Sequence, residues 1–376
     1  MPRDAFRSLF ETNMGVRPGE RILVFSDLIR PDETLSLPDR DRRKRLHAVA
    51  GEVAQHAQET CGNCSFVCFP ATAASGAEPP EVLWRAALGE TTVDMLCTEG
   101  ILARLLTKTA TTEDLVRARN IIMASPAAAQ VIVALANNST SHTRFRSFMN
   151  ATGCRYASLP HFDPEMFSTS MLVDWPALAV RTRRLAELIT SAGRVTLTTP
   201  SGTNLDIDIE GRTAKPDDGI LTAPGSFGNL PAGEAFLAPV EGTTEGIMVI
   251  DYAPTRKLDS PLWLTVRQGN VVAIVGDDPY RKRLEEKFRE SSLNRNIAEL
   301  GIGTNEKATR PDNVLEAEKI LGTVHIALGD NAGFGGTIST PFHEDFVLYR
   351  PTLVAEMPDG SRVTVLDNGN LLLLGT

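Results

Sequence analysis

The residues able to do chemistry gather late in this chain. Only six histidines occur in 376 residues, and two of them, His325 and His343, fall in one 19-residue window with acidic neighbours. In PFHEDFVLY (341–349) the two-residue period of a strand puts His343, Asp345 and Val347 on one face and Phe342, Glu344 and Phe346 on the other. An imidazole and a carboxylate two residues apart on a strand face can bind a divalent cation; they can equally form a hydrogen-bonded surface pair. TVHIALG (323–329) presents His325 from a second strand end. Glu234 in NLPAGEAF and Glu299 in NIAELGIGTN are lone carboxylates among apolar residues and glycines, where burial without a partner is costly. Glu318, in LEAEKILGTVH, lies seven residues before His325, two turns away if that stretch is helical. Two histidines and four carboxylates exceed the needs of one ion and suit two divalent ions sharing a bridging water. Each glutamate is also compatible with a buried salt bridge.

A second candidate lies in the first half. NNSTSHTRFR (137–146) follows the apolar run QVIVALA and carries His142, Arg144 and Arg146. Loops at the carboxyl ends of parallel strands often bind ligands, so these three are candidate substrate-binding residues; a helix cap by Ser139 or Ser141 with a solvated arginine pair is the alternative. Other features carry less. Cys61, Cys64 and Cys68 in CGNCSFVC have no second cysteine pair or histidine cluster at zinc spacing and read as reduced thiols entering a strand. The run RDRRKR (40–45) reads as a solvated helix start. GDNAGFGG (329–336) lacks the Lys-Ser/Thr of a phosphate loop, and no GxGxxG follows the first strand.

The elements positioning these residues divide in two. RILVFSD, SFVCF, VDMLC and QVIVALA read as buried strands alternating with helical stretches at 40–60, 113–123 and 143–150, the rhythm of a parallel sheet covered by helices. After a helical stretch at 174–192, RVTLTTPSGTNLDIDIEGR alternates around a Ser-Gly turn as a hairpin, and strand-like pieces follow at 247–252, 262–267, 271–275, 346–349, 362–366 and 370–374. The expected fold class is α/β: an N-terminal Rossmann-like parallel-sheet domain over 1–190, then a β-rich α+β metal-binding domain over 191–376. A net charge of −9 argues against a nucleic-acid partner. The chain has no run of about 18 apolar residues and no secretory leader, so the expectation is a cytoplasmic protein with no membrane partner.

The order PAGEAF, AELGIGTN, EKILGTVHIALG and HED resembles the metal-site order of the thermophilic metallo-aminopeptidases, the aminopeptidase T and aminopeptidase S group. The resemblance extends to VRPGERILV and RYASLPHFDPEMF and is strongest over 225–346. It implies two divalent ions, zinc, cobalt or manganese, held by Glu234, Glu299, Glu318, His325, His343 and Asp345, with Glu299 or Glu318 as the catalytic general base. The implied activity is a hydrolase releasing N-terminal amino acids from a peptide through a metal-activated water. Relatives form homodimers, so a homodimer is expected. The chain departs from the group in offering Phe334 where typical members carry a tyrosine soon after the first ligand histidine. GTVHIALGDN is also similar to a branch of the same fold that includes a ring-opening dihydroxypyridine dioxygenase. That branch implies one Fe(II) held by two histidines and an aspartate, with His325, His343 and Asp345 available and a small-molecule substrate.

Overall fold

The computed structural model describes residues 2–254 and 256–372, which form two compact units. The first comprises the chain to Leu172 plus Gly219–Pro231; the second comprises Val173–Asp218 and the chain from Ala232. The sequence expectation placed one boundary at 190. The division instead precedes the helix Trp175–Ser191, which Asp174 caps by accepting from the Ala177 N–H. A segment from beyond that helix returns to the first unit as a strand, an exchange that periodicity does not reveal.

In the first unit, five parallel strands lie in the order Cys64–Pro70, Ile22–Leu28, Val131–Ala134, Arg155–Ser158 and Phe227–Asn229. The basic run sits in the helix Leu37–Cys61, where Asp39 pairs with Arg42 and Asp41 with Arg45. All five cysteines are free thiols. One strand reading fails: VDMLC lies in the helix Glu90–Thr98, burying Val93 and Leu96 while Asp94, Met95 and Cys97 face outward. Three-residue spacing of the buried positions is helical, and a short apolar run does not separate the two periods.

The second unit is built of two antiparallel sheets, which gives the chain its mixed α/β class. An eight-stranded sheet includes the expected hairpin, Arg194–Thr198 against Asn204–Asp208, and the meander Glu245–Ala253, Arg256–Arg267 and Asn270–Val275. Of the expected strand at 370–374, Asn370–Leu371 is a strand and 373–374 lie outside the described residues. The other sheet runs His343–Leu348, Val324–Gly329, Ile297–Gly303, Glu234–Leu237 and Lys215–Asp217. Its strands alternate, apart from one bulge. Ala235, Leu237, Leu300, Ile302, Val324, Ile326, Leu328, Phe346 and Leu348 enter one core with Val195, Leu205, Met248 and Leu264 of the larger sheet. The opposite face is left to Glu234, Glu299, His325, His343 and Asp345. A bulge between Ile297 and Glu299 sets the Glu299 register against the neighbouring strand.

Candidate metal centre

Five of the six expected ligands converge on that opposite face. Two three-donor groups form, Glu234–Glu299–His325 and Glu299–His343–Asp345, the ligand atoms within each lying within 4.8 Å of one another. Glu299 belongs to both: its Oε1 lies 3.3 Å from His325 Nε2 and its Oε2 3.5 Å from His343 Nε2. His325 Nε2 is also 3.3 Å from Glu234 Oε2, and His343 Nε2 is 3.5 Å from Asp345 Oδ1. The two histidines therefore sit in different groups, and His325, His343 and Asp345 do not make a three-donor set of their own among the described residues.

Register explains the convergence. Gly301 stands opposite His325, Gly303 opposite Glu234, Ala327 opposite Asp345 and Gly329 opposite His343. A small residue thus faces each of these ligands from one neighbouring strand, while Val347 and Asp217 stand on the other side of His325 and Glu234. At Gly301 this is obligatory, because a Cβ there would fall inside the His325 imidazole. His343 Nδ1 lies 2.8 Å from the Asp330 carbonyl oxygen. A proton on Nδ1 donated to that carbonyl leaves Nε2 with a free lone pair facing the carboxylates, the tautomer a metal requires.

Glu318 departs from expectation. The stretch before His325 is not two helical turns: the helix Val314–Ala317 ends at once, and the strand begins at Val324. Glu318 enters neither donor group among the described residues, and its Oε2 accepts from Lys319 Nζ at 2.9 Å. Lys319 is 1% exposed and also donates to Glu234 Oε1 at 2.6 Å. Motif reading passed over Lys319, Gly301 and the carbonyl of Asp330. The one available signal was for Gly301, which shares the Glu299 face by the two-residue period.

The electrostatics are those of crowded buried charge. Burial opposes charging of His343, but Asp345 and Glu299 outweigh it and raise its pKa to about 10; His325, against Glu299 and Glu234, is raised to about 9. Burial pushes Glu299 up. It pushes Glu318, and Asp217 opposite Glu234, up to about 8 despite Lys319. Burial works against the Lys319 ammonium, yet Glu234 and Glu318 hold its pKa well above the usual lysine value. Glu234 Oε2 and His325 Nδ1 are buried without a hydrogen-bond partner. The converging imidazole nitrogens and carboxylate oxygens, with Glu234 Oε2 left unsatisfied among them, fit a divalent metal with nitrogen and oxygen preference.

One aromatic ring packs on the more exposed ligand, and a second ring packs on the first. Phe334 meets His343 edge-to-face at 5.9 Å and Phe236 at 5.7 Å, and Phe236 follows Glu234 by two residues on the same strand face. Glu241 anchors the loop carrying Phe334 by accepting from Asn331 Nδ2 and the Thr337 N–H.

The remaining candidates, His142, Arg144 and Arg146, belong to the first unit and to neither donor group. Thr143 caps the helix Arg144–Ala151, and Glu78 accepts the N–H groups of Arg144 and Phe145. Arg146 donates to the Ser141 carbonyl and lies 4.5 Å over the Phe227 ring. His142 and Arg144 are exposed.

Fold and site define the chain as a two-unit α/β protein with a buried imidazole–carboxylate centre suited to metal. The model of the NicX family, 2,5-dihydroxypyridine 5,6-dioxygenase, matches residues 86–372, and the chain belongs to that family. Two solved structures share the fold over 99% of this chain. The 2,5-dihydroxypyridine dioxygenase from Pseudomonas putida KT2440 has TM-score 0.67 and 18% identity, with 96% of that chain covered. Wild-type AmpT from Thermus thermophilus has TM-score 0.53 and 13% identity, with 98% covered. No curated protein matches. Family membership makes the chain an enzyme and corrects the expected activity. The matched family and the first of these structures carry dioxygenase names where an aminopeptidase was expected, and the likeness to AmpT is one of fold. No helix among the described residues is long and apolar enough to cross a membrane.

Proposed function

We propose that the chain is an Fe(II)-dependent dioxygenase opening the ring of a dihydroxypyridine-class substrate, in place of a zinc, cobalt or manganese hydrolase. The observation carrying this reading is the Glu299–His343–Asp345 group, with His343 oriented by Asp330, in a chain of the NicX family. These three residues would hold the iron. When bound, Fe(II) supplies the one-electron chemistry that lets dioxygen react with a closed-shell aromatic ring.

The chain's own residues do the rest. Asp330 fixes the His343 ring, and Glu299 faces both imidazoles with one oxygen each. His325 holds a proton at Nε2 within reach of Glu299 Oε1 and Glu234 Oε2, a reservoir beside the place where a ring hydroxyl must lose its proton. Phe334 and Phe236 offer apolar edges that suit a flat ring and exclude water. The test is anaerobic loading with Fe(II), then oxygen uptake with 2,5-dihydroxypyridine. One O2 consumed per ring opened is expected; full turnover of the zinc-loaded protein without oxygen would overturn the proposal.

A further inference from the structure

We propose that Lys319 is a positioning residue that acts as the centre's built-in second cation, so that the cluster takes one divalent ion and not two. The inference rests on the metal-dependent reading above and is independent of the substrate.

The acidic face carries more negative charge than one divalent ion neutralises: Glu234, Glu299, Glu318 and Asp345, with Asp217 opposite Glu234 in register. In a two-ion centre the excess would be met by a second metal. Here an ammonium already stands on that side. Lys319 Nζ lies 2.6 Å from Glu234 Oε1 and 2.9 Å from Glu318 Oε2, and the side chain is fully buried. Its backbone is held on both sides, since the Lys319 N–H donates to the Glu316 carbonyl and the Lys319 carbonyl accepts from Asn305. The ammonium is therefore delivered by the fold and is not a mobile surface charge.

Its position selects between the two donor groups. Glu234 has one oxygen on Lys319, and only Oε2 is left to the Glu234–Glu299–His325 group. A divalent ion there would share one carboxylate with the ammonium, two cations roughly 4–5 Å apart in a buried setting where repulsion is weakly screened. Glu299, His343 and Asp345 carry no arginine or lysine ion pair among the described residues. The single ion belongs to that group, and Glu318 serves Lys319 instead of a metal.

The probe is Mn(II) titrated into metal-free full-length protein, read by metal count after dialysis and by electron paramagnetic resonance. Wild type is expected to bind one Mn(II) per chain with an isolated six-line signal. Lys319→Met frees Glu234 and Glu318 and is expected to bind two, with the signal of a coupled pair; Lys319→Arg keeps the charge and is expected to stay at one. If Lys319→Met fails to fold, the double variant Lys319→Met/Glu318→Gln removes one charge of each sign and is expected to bind two. Two ions in wild type, or one in a folded variant lacking the Lys319 charge, overturns the inference. Absence of any bound ion in wild type removes the metal-dependent reading itself and this inference with it. A single ion without oxygen uptake removes only the ring-opening reading and leaves Lys319 in its role.

Discussion

Gly301→Ala tests whether the sheet register, and not only the ligands, builds the centre. Gly301 lies opposite His325, and an added methyl would overlap the Nε2 edge of the imidazole. Carbon and nitrogen must separate to ~3.5 Å, so the ring has to retreat by roughly 1.5 Å. The obstacle is a side chain, which can swing, so the fold survives at an overpacking cost of ~1–3 kcal/mol. For a unit of 150–250 residues that lowers Tm by ~2–12 °C. Misplacing a group beside the metal by about 1 Å costs ~100-fold in kcat/KM, or about 2.7 kcal/mol of transition-state stabilisation. Gly303→Ala is the contrast, because its Cβ would strike the Ile320 carbonyl, which is backbone and cannot swing aside. The assay pairs thermal unfolding with Mn(II) affinity by calorimetry and with oxygen uptake. Gly301→Ala is expected to lose function out of proportion to stability, and Gly303→Ala the reverse. Wild-type kcat/KM in Gly301→Ala would refute the argument that this glycine seats His325.

Three further outcomes are expected. Metal must displace the proton that His343 holds at Nε2, with its pKa raised to about 10, so Mn(II) affinity should climb with pH up to that range and binding should release protons; calorimetry in buffers of different ionisation heat checks it, and pH-independent affinity between 7 and 9 contradicts it. Asp278 accepts from Arg256 and from the N–H groups of Asp259 and Tyr280, and the Arg256 contact holds its pKa down to about 2. Its stabilisation is full above the unfolded value near 4 and is lost as pH falls through about 2, so the Tm gap between wild type and Asp278→Asn should close over that window. Phe334→Ala should raise KM for 2,5-dihydroxypyridine ~2–10-fold, the worth of an aromatic edge contact, with kcat little changed, and steady-state oxygen uptake separates the two.

The site was more legible in the sequence than the reaction. Alternation alone puts His343 and Asp345 on one face, since a period of two admits no other arrangement, and isolated glutamates such as Glu234 and Glu299 need a partner to be buried. Glu318 came as a ligand from the resemblance, and its spacing to His325 would be two turns only if the stretch between them were helical. The chain turns there after one short helical turn, and Lys319 accounts for the buried acid. Gly301 lay on a readable face, yet its purpose depends on which residue stands opposite, and register between strands 24 residues apart is a tertiary fact. The return of Gly219–Pro231 to the first unit is of the same kind: the strand Phe227–Asn229 is short, and only its parallel partner Arg155–Ser158 defines it.

Why the donors did not disclose the reaction follows from coordination chemistry. Imidazole nitrogen and carboxylate oxygen accept zinc, cobalt, manganese and iron alike, so motif order locates a metal without naming it or its count. What separates hydrolysis from ring opening lies around the donors. A peptidase needs a hydrogen-bond donor for the developing oxyanion, worth about 3 kcal/mol. The loop after His325 instead brings the Phe334 ring against His343, where it also meets Phe236 of the Glu234 strand. A two-ion centre needs carboxylates left free on both sides, and Lys319 engages two of them. The order of the donors therefore leaves the chemistry open, and Phe334 against His343 and Lys319 on Glu234 are the contacts around them that bear on it.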